Sequence, residues 1–273
     1  MVNCLAVYRE LQNSPGRESD DALILKAVME QLSIIKVRTQ LVTPEELDRM
    51  TDLSQWDMIV PMCETYPRLK RLMGLRNTLM VNRPESVLAC YRTNMIEAFS
   101  KDPTIRLPST EIHPINSAFS FPSFGDGGIW VKRGDVHNTC AHDVVFARDA
   151  KEMAAIKNDF QSREITDVVL QRHVDGDLIK FYGVGPRRWF TWFYHDPQSA
   201  RRFQFELDDL AEMAAAGASA VNLEIFGGDA IVSTDGTIHL IDINSWPSFA
   251  KVRSEAAVQI AWQLRSRLRR IAK

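Results

Sequence analysis

Short apolar runs alternate with amphipathic stretches through the first third of the chain. "CLAVY" (4–8) precedes the helix-patterned "DDALILKAVMEQL" (20–32), and "IKVRTQLV" (35–42) and "WDMIVPMC" (56–63) are followed by "YPRLKRLMGL" (66–75) and "NTLMVN" (77–82). Strands alternating with helices in this way predict parallel β-α units. From Pro84 one helix is expected over "PESVLACYRTNMIEAFS", leading into a polar, proline-marked connection that ends near Pro122. "GIWVKRGDVHNTCAHDVVFARD" (128–149) reads as two strands around a polar loop, with a helix over "AKEMAAIKNDF". The rest is strand-rich: "DVVLQRHV", "DLIKFYGVG", "RWFTWFYH", a helix over "ELDDLAEMAAAGA", a hairpin, and a closing helix "EAAVQIAWQLRSRLRRI". The order predicts an α/β (α+β) protein of three lobes, over 1–83, 84–170 and 171–273.

Composition narrows the function classes. A chain of 273 residues, 45% hydrophobic and 25% charged, is long enough to bury a sizeable core. Its formal charge of -2 argues against nucleic acid as a main partner. Four scattered cysteines show neither zinc spacing nor a disulfide framework. The apolar run near the N-terminus is short for a signal peptide, and no run approaches the roughly 18 apolar residues of a membrane span. The expectation is a cytoplasmic protein with no membrane partner.

The chemistry concentrates in "GGDAIVSTDGTIHLIDINSWPSF" (227–249). "TDG" marks a turn that folds the strand after Asp229 onto the strand before Asn244. Asp242 and Asn244, two apart, share one face of a strand, and Asp229 falls at the matching height on its partner if the turn centres on Asp235 and Gly236. Two carboxylates and an amide oxygen are hard ligands suited to Mg²⁺, which is typically held by one or two carboxylates plus substrate phosphates. Solvated acids on a hairpin are the plain alternative, but "IHLIDIN" is otherwise very apolar, and acids on a buried face need a partner.

These residues resemble the ATP-grasp superfamily, whose metal-binding end carries an Asp on one strand and Asp or Glu, any residue and Asn on the next, with a Pro nearby. "IWVKRG" places Lys132 where that superfamily has its nucleotide-phosphate lysine, and "VVLQRHVDGDLIKFYGVG" looks like its hinge strand followed by a strand bearing a basic residue, Lys180. The resemblance covers residues 84 to 273 and implies an ATP-grasp fold with the nucleotide between the central and C-terminal lobes.

Within the superfamily, the loop "RGDVHNTCAHDV" has one glycine and places His137, Thr139 and His142 at a spacing similar to that of inositol-trisphosphate/tetrakisphosphate kinases. By that resemblance, Asp229, Asp242 and Asn244 hold Mg²⁺. Lys132, Gln171, Arg92 and His137 bind ATP, and His142 and Lys180 act on a phosphorylated small-molecule substrate that Arg187, Arg188 and Asn244 also contact. Arg172 is a further candidate near the site, and Arg9 or Arg17 stands in for an N-terminal substrate lysine. "GPRR" reads equally as a turn with solvated arginines, and both histidines read also as caps of the loop's backbone. The function expected on this resemblance is an ATP- and Mg²⁺-dependent kinase of an inositol phosphate or similar polyol phosphate, the alternative being a carboxylate-amine ligase acting through an acyl phosphate.

Overall fold

A computed structural model of the chain describes residues 2–14, 16, 18–124, 127–136 and 140–271. Three four-stranded sheets organise it. In the first, β1 (Asn3–Val7) lies between β2 (Arg38–Val42) and β3 (Met58–Pro61), with β4 (Leu79–Met80) beyond β3, all parallel. Successive side chains of a strand point to opposite faces. Cys4 and Ala6 therefore join the core beneath α1 (Glu18–Ile34), while Leu5 and Val7 pack with Leu47 of α2 (Pro44–Arg49) and Leu72 of α3 (Tyr66–Met73). A strand buried on both faces needs a continuous apolar run, and "CLAV" supplies it.

Two features of the next segment depart from the sequence reading. The helix expected from Pro84 is two, α4 (Pro84–Ala89) and α5 (Arg92–Phe99), broken at Tyr91, whose backbone is extended and whose hydroxyl donates to the Glu64 carbonyl at 2.7 Å. The proline-marked connection contains a strand, β5 (Thr110–Pro114), which pairs antiparallel with β8 (Asp167–Arg172). The second sheet runs β5-β8-β6-β7, with β6 over Ile129–Arg133 and β7 over Val144–Ala147. Its Ile129, Val131, Val168 and Leu170 face Met153 and Phe160 of α6 (Ala150–Ser162). By alternation Lys132 and Gln171 point from the opposite face.

The third sheet is antiparallel, in the order β10-β9-β11-β12, with β9 over Gly176–Val184, a single turn α7 over Gly185–Arg188, β10 over Trp189–Tyr194, β11 over Ile225–Ser233 and β12 over Ile238–Ser245. Phe181, Phe226, Leu240 and Ile243 on one face bury against α8 (Leu207–Ala220) and against Ile96 and Phe99 of α5. The segment just after residue 84, placed with the central lobe by sequence, thus packs into the core of the third sheet. The last helix, α9 (Arg253–Ile271), returns to α1, burying Ile260 and Leu264 in the core of the first sheet.

The first and third sheets are joined by buried polar contacts. Asn82 donates from Nδ2 to the Ile225 carbonyl at 2.7 Å and the Ser245 hydroxyl at 2.9 Å, and its Oδ1 accepts from the backbone of Glu224 at 2.7 Å and Ile225 at 3.0 Å. Trp246, fully buried, donates its indole N–H to the Val81 carbonyl at 3.0 Å. Removing one partner from buried groups leaves the others to bear their desolvation. Asn82→Ala is therefore expected to lower unfolding stability by about 2–4 kcal/mol, measured by denaturant unfolding; an unchanged midpoint would show that the sheets dock without this amide.

Candidate active site

The hairpin closes as its sequence requires. Asp235 accepts from the Ser233 hydroxyl at 2.6 Å and the Thr237 amide at 3.0 Å, and Gly236 takes the left-handed φ of 84° that the turn needs. β11 then pairs with β12 so that Asp229 sits opposite Asp242 and Gly227 opposite Asn244, with a register shift just after Asp229. Next to Asp229 the strands approach closely: a Cβ on Gly228 would stand 2.3 Å from the Asp242 carbonyl oxygen and 2.5 Å from the Phe181 ring. The glycines of "FGGDA" admit that approach.

On the other side of β11, Asp229 is in register with Lys180 of β9, whose ammonium lies 2.6 Å from Oδ1. Burial pushes the Asp229 carboxyl above its usual range; Lys180 opposes that rise and Asp242 adds to it. Oδ1 of Asp242 is buried and has no hydrogen-bond partner among the described residues, and neither has the buried hydroxyl of Ser248. Both residues line a cavity of about 260 Å³ together with Lys180, Tyr182, Asp229, Asn244, Arg9 and Glu64.

Lys132 approaches the same carboxylates from the second sheet. It is 7% exposed and donates to Gln171 Oε1 at 2.6 Å, and Gln171 in turn donates to the Thr110 hydroxyl at 3.0 Å. Burial, reinforced by the charge of Arg92, brings the Lys132 ammonium down to about 8 against the opposing pull of Asp242 and Asp229. Arg92, on the first turn of α5, donates to the Arg133 carbonyl at 2.8 Å; burial lowers its affinity for the proton and Asp242 offsets part of that. One cluster therefore collects Lys132, Arg92, Lys180, Asp229 and Asp242, with Asn244 in the adjoining cavity.

Other expectations fall elsewhere. Arg187 pairs with Glu212 of α8, and Arg188 reaches Gln263 and Ser266 of α9, each at 3.4 Å; neither lines the cavity, so the assignment of these two arginines to a substrate is corrected. Both belong to the turn after β9, at the end of the strand beyond Lys180. His142 is exposed on the 3-10 turn entering β7 and is not a lining residue of that cavity. His137, Thr139 and Arg17 lie outside the described residues. Gln171 is at the site, where its Oε1 accepts from Lys132 and its Nε2 donates to Thr110, so that it braces Lys132.

Arg9 reaches the cavity without being free. Its Nη2 donates to the carbonyls of Ser245 at 3.0 Å and Trp246 at 2.7 Å, and its guanidinium lies 3.3 Å from Glu64 and 3.7 Å from Asp21. Burial disfavours its charge, but Glu64 and Asp21 outweigh that and raise its proton affinity. Sequence reasoning passed over Glu64 and Asp21. Glu64 follows β3 at the carboxyl end of the parallel sheet, and Asp21 lies on the first turns of the helix that follows β1; ligands collect at that end of such sheets.

The solved structures similar to this chain share one architecture across nearly its whole length. D-alanine–D-alanine ligase from Bacillus anthracis gives a TM-score of 0.72 at 13% identity, covering 99% of this chain and 100% of that one. An ATP-grasp protein with a RimK domain from Sphaerobacter thermophilus gives 0.69 at 14%, covering 96% and 99%. The chain has the ATP-grasp fold. A D-cycloserine synthetase gives 0.70 at 14%, covering 97% and 99%, and the B. anthracis ligase complexed with ATP gives 0.73 at 12%, covering 99% and 98%. No protein-family profile and no curated protein matches the sequence. These ligase and synthetase neighbours overturn the expected inositol phosphate kinase and favour the ligase alternative. The single glycine and the histidines of the 134–143 loop match the kinase spacing over six residues only, whereas the architecture is shared across the chain.

The depressed proton affinity of Lys132 has a sign that can be tested. The folded state binds this proton less tightly than the unfolded chain, so between pH of about 8 and the ordinary lysine value of 10.5 the unfolded state carries more protons and stability rises with pH. Wild type is expected to gain stability across that window relative to Lys132→Met, measured by urea unfolding at a series of pH values. Parallel profiles for the two proteins would show that Lys132 is not held in its charged form at a desolvation cost.

Proposed function

We propose that this protein is an ATP-dependent ligase that joins the carboxylate of one small molecule to the amine of another through an acyl phosphate. The observation that carries the reading is the buried Oδ1 of Asp242, without a partner among the described residues, facing Asp229 across β11 and β12 beside two lysines from two different sheets. Buried polar atoms in folded proteins almost always find partners. An atom without one, in a cavity, supports a ligand as the missing partner.

The donor set fits a hard divalent cation. Among the described residues no three His, Cys, Asp or Glu side chains converge, so Asp229, Asp242 and the Asn244 amide would leave most of the coordination sphere to phosphate oxygens and water, as suits Mg²⁺. Such an ion supplies charge neutralisation on the terminal phosphates of the nucleotide. Lys132 would meet those phosphates from the second sheet and Arg92 would reinforce it. Lys180 has a double part: it neutralises Asp229 and lies on the cavity side, where charge builds up on a transferring phosphoryl group. The Ser248 hydroxyl offers one more hydrogen bond to a substrate oxygen.

The reaction divides into two displacements. The substrate carboxylate oxygen bonds to the γ-phosphorus as the bond to the β,γ-bridging oxygen breaks, giving an acyl phosphate and ADP. The amine nitrogen then bonds to the acyl carbon, the carbon–oxygen bond breaks, orthophosphate leaves and the nitrogen loses a proton. Preorganised cations that stabilise the phosphoryl charge do most of the protein's work in the first step. The second needs a dry cavity, because water would otherwise take the acyl phosphate.

³¹P NMR with Mg-ATP and paired carboxylates and amines is the direct test. Orthophosphate and ADP are expected together with an amide product, and only when both an acid and an amine are present; a phosphate ester formed without orthophosphate would sink the ligase reading. Asp242→Ala is expected to remove about 10²- to 10³-fold of Mg²⁺-dependent turnover, the order seen when one stabilising group of a charged transition state is lost, while circular dichroism and thermal unfolding stay close to wild type. Near-normal activity in this variant would take the hairpin out of the site.

A further inference from the structure

A second cavity, of about 730 Å³, opens at the carboxyl end of the first sheet between the loop after β1, the first turns of α1 and the start of α2. Arg9, Ser14 and Asp21 line both this groove and the smaller cavity at the carboxylate pair, so the two adjoin across those residues. Glu18, Ala22 and Lys26 of α1 also line the groove. Residues four apart fall on one face of a helix, which places an acid, a small residue and a base in a row along the wall.

The charges of the wall differ in availability. Arg9 is held by Asp21, Glu64 and two carbonyls, and Arg68 by Glu10, Glu45 and Asp48. Lys26 makes no hydrogen bond or ion pair among the described residues and is exposed to the groove. Asp21 at the junction, which also accepts from the Ser14 hydroxyl at 2.7 Å, and Glu64 in the smaller cavity bring two carboxylates against the single guanidinium of Arg9, which leaves acceptor capacity for an ammonium. The five-residue step from Asp21 to Lys26 spans ~7.5 Å of helix, which about two residues of extended chain also span.

Resting on the ligase reading, we infer that this groove is the subsite for the amine substrate, and that the substrate is an elongated zwitterion of dipeptide length. Its ammonium end lies at Asp21 and Glu64, beside the carboxylate pair, and its far carboxylate lies at Lys26. Ala22, between them, is the position that sets how much chain the groove admits. A single free amino acid does not reach from one end to the other.

Calorimetric titration of the full chain, with Mg²⁺ and a non-hydrolysable ATP analogue present, tests this with glycine, glycylglycine and glycylglycinamide as probes. Wild type is expected to bind glycylglycine more tightly than glycine or the amide. Lys26→Met should weaken glycylglycine about three- to fivefold, the range of one exposed ion pair, and leave the amide unchanged, because only the acid has a charge for Lys26 to meet. Ala22→Phe should weaken glycylglycine at least tenfold with the affinity for the ATP analogue unaltered, which also reports that the variant is folded. Equal losses for acid and amide in Lys26→Met, no loss in either variant, or no binding of any probe by wild type would each overturn the inference. Binding as expected with no orthophosphate released on turnover would instead leave the subsite standing and reject the ligase.

Discussion

Two carboxylates placed opposite each other in a buried stretch of sheet are the constraint around which this molecule is built. Asp229 and Asp242 face each other across β11 and β12, and burial raises the cost of the Asp229 charge, to which Asp242 adds. Like charges at low dielectric repel strongly. The surrounding elements answer with cations from three directions: Lys180 one strand over on β9, Lys132 from the second sheet, and Arg92 from the first turn of α5. Each arrives by simple alternation or helical position, with its apolar neighbours turned into a core. Ile179 and Phe181 bury on the far face of β9, and Val131 buries on the far face of β6.

The same constraint explains why the first sheet grips the third so firmly. The strand that carries Asp242 and Asn244 continues into Ser245 and Trp246, and Arg9 caps both of their carbonyls while Asn82 bonds the Ser245 hydroxyl. Trp246 and Phe249 hold positive φ values of 48° and 49° without being glycine, a conformation that bulky residues adopt only when packing over-determines it. Both are fully buried against the core shared by the two sheets. The end of β12 that carries Asp242 and Asn244 is thus positioned by the N-terminal lobe, and that lobe contributes Glu64 and Asp21 to the cavity wall.

The hairpin was legible in the sequence because every signal in it agrees: a turn dipeptide, period-two alternation, two glycines before the first acid, and acids interrupting an apolar strand. The pairing of Asp229 with Asp242 follows from counting outward from the turn. Lys132 and Lys180 were legible only through the resemblance to ATP-grasp proteins, which implies a lysine on each of those two strands. What escaped depended on tertiary contact. Tyr91 breaks a helix that propensity would continue, and its hydroxyl finds Glu64 from a different lobe. β5 hides among prolines because its pairing partner β8 lies more than fifty residues on. Arg187 and Arg188 looked like a basic pocket in sequence, yet their neighbours on α8 and α9, which no local pattern reveals, take them to another surface.

The charge balance around the cavity bears on what the second substrate can be. Among its described lining residues the two cations, Arg9 and Lys180, already pair with carboxylates, and four acids stand against them. Two of those acids, Asp229 and Asp242, are approached by Lys180 and Lys132 and are the pair that the proposed function gives to a divalent cation. The remaining pair, Asp21 and Glu64, shares one arginine. A phosphorylated acceptor would add further negative charge to that end of the cavity with no described cation free to receive it, and desolvating such a charge unpaired is costly. An ammonium meets the opposite situation, two carboxylate groups and one competing guanidinium. Asp21 and Glu64 favour the charged form of a bound amine, so in the proposed reaction its proton is lost only as the nitrogen leaves those carboxylates for the acyl carbon. The distribution of charge thus fits an acceptor that binds as a cation better than one that binds as a phosphate.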